Sequence, residues 1–223
     1  MKEETLMRMI RRVLQTAVIF GLSGCVMHVD RPVHVQRGDM AKSIYVVDGA
    51  IALDAQARAH KLSTVDGDIT LGRWARASGL RSVDGAIAMA AGASCSGDVR
   101  SVDGAIRLDA GTRVDGNAET LTGSIEARSA LIAGHLETVS GRILLHGATH
   151  VDQGIVLALP SPKVHDTNQQ RLPLVVIGPG VVVGGPIVAH RGGTLWVSRK
   201  ARIGPVQGIT VRWFDGAAAP ATD

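Results

Sequence analysis

One phrase recurs along this chain at a nearly constant step. It reads SVDGAI at Ser82–Ile87 and again at Ser101–Ile106, with altered copies VVDGAI, TVDGDI, TLTGSI and TVSGRI, so that glycines fall at positions 49, 67, 85, 104, 123 and 141. The intervals are 18 or 19 residues. A fixed step of this size means one small supersecondary unit repeated, each copy unable to bury its apolar side alone and therefore stacked on its neighbours.

The isoleucine of each phrase sets the phase. Ile51, Ile69, Ile87, Ile106, Ile125 and Ile143 are followed two residues later by Leu53, Leu71, Met89, Leu108, Ala127 and Leu145, and a spacing of two is strand periodicity. Six and eight residues after the isoleucines stand Ala57/Ala59, Ala75/Ala77, Ala93/Cys95, Thr112/Val114, Leu131/Ala133 and Thr149/Val151, a second inward pair. Leu62, Leu80, Val99, Ala118, Leu136 and Ile155 open a third strand that runs into the next turn. Three short strands per unit predict an all-β, single-stranded parallel β-helix of about 18 residues per coil. A helical solenoid is excluded, since no 3.6-residue period is sustained. With 3 % aromatics and 27 glycines, the core must consist of narrow aliphatic layers. Val114-Asp115-Gly116 repeats the letters out of step, so the inward spacing, not the string, carries the register.

The rest of the chain is organised around this array. Residues 1–24 read as a signal peptide, 25–42 as a lipidated Cys with a tether or N-terminal cap, and 43–159 as coils with VDG-type repeats. Residues 160–173 form a polar, proline-bounded excursion, 174–214 C-terminal coils and a cap, and 215–223 a tail. In the C-terminal coils Val175/Ile177, Val181/Val183, Ile187/Ala189, Leu195/Val197 and Ala201/Ile203 are inward pairs, with Trp213 and Phe214 over the last layer. On the order of nine coils, with strands about 4.8 Å apart, predict a rod roughly 40 to 45 Å long.

The first dozen residues are basic, and the apolar run at 13–24 is shorter than the roughly 20 residues that span a bilayer, as expected of an export signal. Those first residues also supply half of the net charge of +4. The remaining surplus is no electrostatic footprint for nucleic acid. Leu22-Ser23-Gly24-Cys25 resembles a bacterial lipobox. That resemblance implies acylation of Cys25, which becomes the new N-terminus, and Val26 after it implies retention at the outer membrane, facing the periplasm. Several acyl chains together anchor a protein firmly. Cys95 is then left without a partner and reads as a small buried hydrophobe, with no disulfide framework or metal site.

The coil length and the run IGPGVVVGGP resemble bactofilin-type polymer-forming proteins, whose β-helices stack end to end. The TVDGDI and TVSGRI phrases are similar to uncharacterised bacterial repeat lipoproteins and adhesin-like β-repeat domains. The resemblance covers about 43–214 and implies a right-handed coil and self-association. The lipobox and the polar excursion depart from the bactofilin pattern. The Gly/Val hexads are also similar to those of hexapeptide acyltransferases, whose acyl-CoA donor an exported chain would lack.

Chemistry, if any, centres on Asp48, Asp66, Asp84 and Asp103, which the repeat stacks at one corner. Carboxylates about 4.8 Å apart repel, so they call for an offset: Asx-type hydrogen bonds to the turn, where Asp-Gly suits positive φ, solvent, or a bound cation, and the corner could equally bind a glycan. Exposed carboxylate clusters also serve glycan-cleaving enzymes. His146 and His150 fall on either side of a coil corner and do not suggest a metal site. Arg191, Arg199, Lys200, Arg202 and Arg212 make the last third basic, suited to contact with lipopolysaccharide or peptidoglycan. No Ser-His-Asp, HExxH, P-loop or dinucleotide motif occurs in a suitable context. The expectation is a lipid-anchored, non-enzymatic scaffold or binding module of the cell envelope, without cofactor, metal or catalytic residues. The alternatives are a glycan-binding or glycan-cleaving protein using the Asp corner, and a self-assembling polymer.

Overall fold

The computed structural model describes residues 31–160, 171–216 and 219. The expected signal peptide, Cys25, most of the excursion and most of the tail lie outside the described residues. The chain winds as a parallel β-solenoid of about nine turns, with three sheets running its length, one of 10 strands and two of 9. Sheet one runs from Val33–Val35 through Ile51–Leu53 and Ile69–Leu71 to Val211–Phe214. Sheet two holds short strands such as Arg58–Ala59 and Arg76–Ala77, and sheet three holds Ile44–Asp48, Lys61–Asp66 and their successors. All pairs are parallel and each strand pairs with its counterpart in the next coil, as in Ile69↔Ile87↔Ile106. Among the described residues there is no helix, and none long and apolar enough to cross a membrane.

Inward positions form vertical columns. On sheet one the column Ile51, Ile69, Ile87, Ile106, Ile125, Ile143, Val175 and Leu195 is wholly buried. Branched aliphatic side chains fit this pleated stack, and burying each contributes about 1.5–3 kcal/mol. The corner leading into sheet two contributes Ala57, Ala75 and Ala93, small enough to keep the coil narrow. Cys95 lies in the same core, and burial pushes its thiol up to about 11.

The phase differs from the sequence reading in one coil. Ala130 and Ile132 point inward there, not Leu131 and Ala133, and Ile132 pairs with Val114. The cause is the corner from sheet one to sheet two. In each coil up to Gly180 a residue of left-handed conformation makes this corner: Gly38, Gln56, Trp74, Gly92, Gly111, Ser129, Gly147 and Gly180. It comes five residues after the reference isoleucine at Gln56, Trp74, Gly92 and Gly111, and four after it at Ser129 and Gly147. Ala130 turns inward directly after Ser129, which advances that strand by one, whereas the exposed Ala148 intervenes after Gly147 and keeps Thr149 and Val151 in the usual phase.

The array also begins ahead of the first VDG phrase. Val33–Val35 pairs with Ile51–Leu53, and Met40–Ala41 pairs with Arg58–Ala59, so this part of the expected tether or cap is a coil of its own. At the excursion, Ile143 pairs directly with Val175, so the insertion leaves the register of sheet one intact. At the far end Trp213 pairs with Val197 and continues an inward column, yet stays 46 % exposed because no described strand lies above it. Phe214 beside it is buried.

Candidate functional site

The repeated phrase forms the corner at which the chain leaves sheet three for sheet one. Its first residue, Ser or Thr, points into the core: Thr64, Ser82, Ser101, Thr120 and Thr138 are all buried. Each buried hydroxyl must be hydrogen-bonded to offset its desolvation. Ser101 Oγ accepts a hydrogen bond from the Gly104 N–H at 3.0 Å and donates to the carbonyl of Gly85, one coil earlier, at 3.3 Å. Ser82 repeats both bonds with Gly85 N–H and Gly67 carbonyl, and Thr120 with Gly123 N–H and Gly104 carbonyl. The result is a ladder of hydroxyls inside the rod. In the sequence the ladder shows as Ser or Thr three residues before each phrase glycine, Gly67, Gly85, Gly104, Gly123 and Gly141.

The glycines of the phrase answer to a different constraint from the one expected. Gly67, Gly85, Gly104, Gly123 and Gly141 are not among the residues of positive φ; Gly49 alone is, at 144°. A Cβ on Gly85 or Gly104 would lie 1.8 Å from the carbonyl oxygen of the glycine one coil earlier, far inside van der Waals contact. Gly67, Gly123 and Gly141 meet the same obstruction at 1.8 to 2.1 Å. These glycines are required because successive turns touch backbone to backbone. The out-of-step Gly116 plays the same part between sheets two and three, where a Cβ would meet Gly97 at 2.6 Å.

Asp48, Asp66, Asp84 and Asp103 all stand exposed on the outside of the same corner. Asp48 pairs in register with Asp66, while the backbone N–H groups of Asp84 and Asp103 donate to the carbonyls of Val65 and Val83, which stacks the four residues. The positions above them are Thr122 and Ser140, and the Thr122 hydroxyl donates to Asp103 Oδ1. The expected Asx bonds are not made: among the described hydrogen bonds none joins these four carboxylates to the turn backbone. At Asp84 and Asp103 the Ser hydroxyl already takes the glycine N–H from inside, at Asp48 the Gly49 N–H goes to the Asp66 carbonyl, and the Asp side chains are exposed on the other side.

What remains at the ridge is mutual repulsion. Asp84 is raised above its ordinary value by desolvation first, then by a hydrogen bond with Asp66 and by the charges of Asp66 and Asp103. A row of like charges on successive coils attracts cations in general. Among the described residues, no three His, Cys, Asp or Glu side chains converge to hold a metal ion. His146 ends a strand of sheet one and His150 begins one of sheet two, where it lies 3.0 Å from Asp152.

Elsewhere the faces carry ion pairs. Arg100 bonds Glu119 on sheet three at 2.8 and 3.3 Å and Asp98 at 3.0 Å, and the hydrogen bond to Glu119 raises its already high pKa. Arg113 pairs with Asp115 and Arg128 with Glu126. A shallow depression of about 580 Å³ lies between Thr112, Leu131 and His150. No family model, curated protein or solved structure matches the chain.

Proposed function

We propose that this chain is a lipid-anchored, non-enzymatic scaffold or binding module of a bacterial cell envelope, attached at the outer membrane and facing the periplasm. The observation that carries the scaffold reading is the filled interior. Three continuous parallel sheets enclose packed aliphatic columns and a satisfied hydroxyl ladder, so the groups left for recognition are those on the outer faces. The Asp ridge supports a binding role within this reading, because its carboxylates stand exposed in a row on one corner of the rod. The anchor rests on the sequence alone, on Cys25 directly after a basic and then an apolar segment.

The anchor is tested by labelling cells with an alkyne fatty acid and fractionating them. Wild-type protein should carry label and sediment with membranes, and Cys25→Ala should lose the label and appear in the soluble fraction. An unlabelled, soluble wild-type protein would remove the anchor from the account.

A second reading, self-assembly through the rod ends, has one observation in its favour. The last layer, with Ala201, Ile203, Val206, Ile209 and Val211, is only partly buried, and Trp213 is half exposed. Electron microscopy of the purified full chain decides it: filaments support stacking, and short monodisperse particles refute it.

A further inference from the structure

Trp74 occupies the left-handed corner between sheets one and two with φ of 62°, at a position its neighbours above, Gly92 and Gly111, fill with glycine. A bulky side chain is strained there. It is nevertheless 60 % exposed, so the strain is not offset by packing in the core. The indole lies across the next coil, on Gly92: a Cβ added there would fall 2.5 to 2.7 Å from three ring carbons. The residues flanking that glycine along the chain, Ala90, Ala91, Ala93 and Ser94, are small, and the exposed part of the Trp74 ring forms a shelf on that coil.

The charges around this shelf are unbalanced. Arg73 precedes Trp74 and Arg76 follows it on the sheet-two strand Arg76–Ala77, where Arg76 lies in register beside Arg58. All three are exposed, and like charges on adjacent strands repel. Arg100, Arg113 and Arg128 have carboxylate partners, but among the described residues Arg58, Arg73 and Arg76 have none. Asp54, in the coil below, is bonded to His34 at 2.7 Å.

We propose that Trp74 with Arg58, Arg73 and Arg76 is a binding site for an anionic polysaccharide. The indole would stack on the apolar face of a sugar ring, and the guanidinium groups would pair with carboxylate, phosphate or sulfate substituents. A single aromatic shelf suits a sugar chain better than single-stranded nucleic acid, which is held by stacking successive bases on several aromatics. The site rests on the binding-module reading but not on the lipid anchor, so failure of acyl labelling leaves it standing and its own failure leaves the scaffold standing.

The test is affinity electrophoresis of the full chain in mild detergent through gels containing polygalacturonate, chondroitin sulfate or neutral dextran, with thermal unfolding in parallel. The wild type should be retarded by a charged polymer and not by dextran. Trp74→Gly restores the glycine of the column, so it should leave the unfolding temperature unchanged or raised while weakening retardation about tenfold. Replacing Arg58 and Arg76 together by Gln should do the same. No retardation of the wild type by either charged polymer, equal retardation of Trp74→Gly, or tighter binding of oligothymidylate than of either polysaccharide would each overturn the proposal.

Discussion

Ser101 uses one oxygen for two bonds, accepting from Gly104 and donating to Gly85, and so ties its own turn to the turn below. Replacing it by Ala leaves the Gly104 N–H unpaired in a buried place, at a cost of about 1–3 kcal/mol. Ser101→Thr should keep the ladder, as Thr120 does one coil above, and chemical denaturation of the two variants would separate hydroxyl loss from a change of volume. Asp84 differs in kind, since it contributes to no described bond with the fold's backbone through its side chain. Its raised folded pKa means that the folded state holds the proton more tightly than the unfolded state. Its contribution is therefore fully present below the ordinary carboxylate value of 3.8 and is lost as pH rises through the raised one. Asp84→Asn should accordingly unfold at a higher temperature than wild type at neutral pH, and the gap should close as pH falls below that window. A gap independent of pH would contradict the repulsion.

At the level of the coil, register decides which side chain is tolerated where. Ile132 is buried and Leu131 beside it is turned outward, so Ile132→Asp should prevent folding while Leu131→Asp leaves the circular dichroism spectrum intact. Excising residues 161–170 should change the unfolding temperature little, because Ile143 and Val175 already pair in register and Pro173, whose carbonyl accepts the Thr194 N–H, is kept. Most of these elements were legible in the sequence, since a period of two repeated every 18 or 19 residues leaves few other folds. The slip at Leu131 was not, because it depends on Ser129 adopting a left-handed turn, and nothing in the composition marks that residue for it. The same applies to Trp74: the other coils mark the corner with Gly or leave it unmarked, and only the coordinates put an exposed indole there. The ladder hydroxyls stand in every phrase after the first, where Val46 takes the position, but polar residues leading into a turn look the same in sequence whether they face water or core.

Across the whole molecule, the repeat divides its residues by task. Glycine brings successive turns together, Ser or Thr joins them from inside, and the aliphatic columns supply the burial. Asp faces outward and is the member of the phrase on which the stack does not depend. The stack is thus built by one part of the motif, while the outer faces, with an acidic ridge, an ion-paired sheet and arginines that lack a carboxylate partner among the described residues, differ from coil to coil. This division is tested most directly by thermal unfolding of two neighbouring substitutions, Asp103→Asn and Gly104→Ala. Gly104→Ala forces a Cβ to within 1.8 Å of the Gly85 carbonyl oxygen and should cost at least about 1–3 kcal/mol, with a large drop in unfolding temperature, while Asp103→Asn should leave it unchanged or higher. A stable Gly104→Ala protein beside an unfolded Asp103→Asn protein would contradict the account.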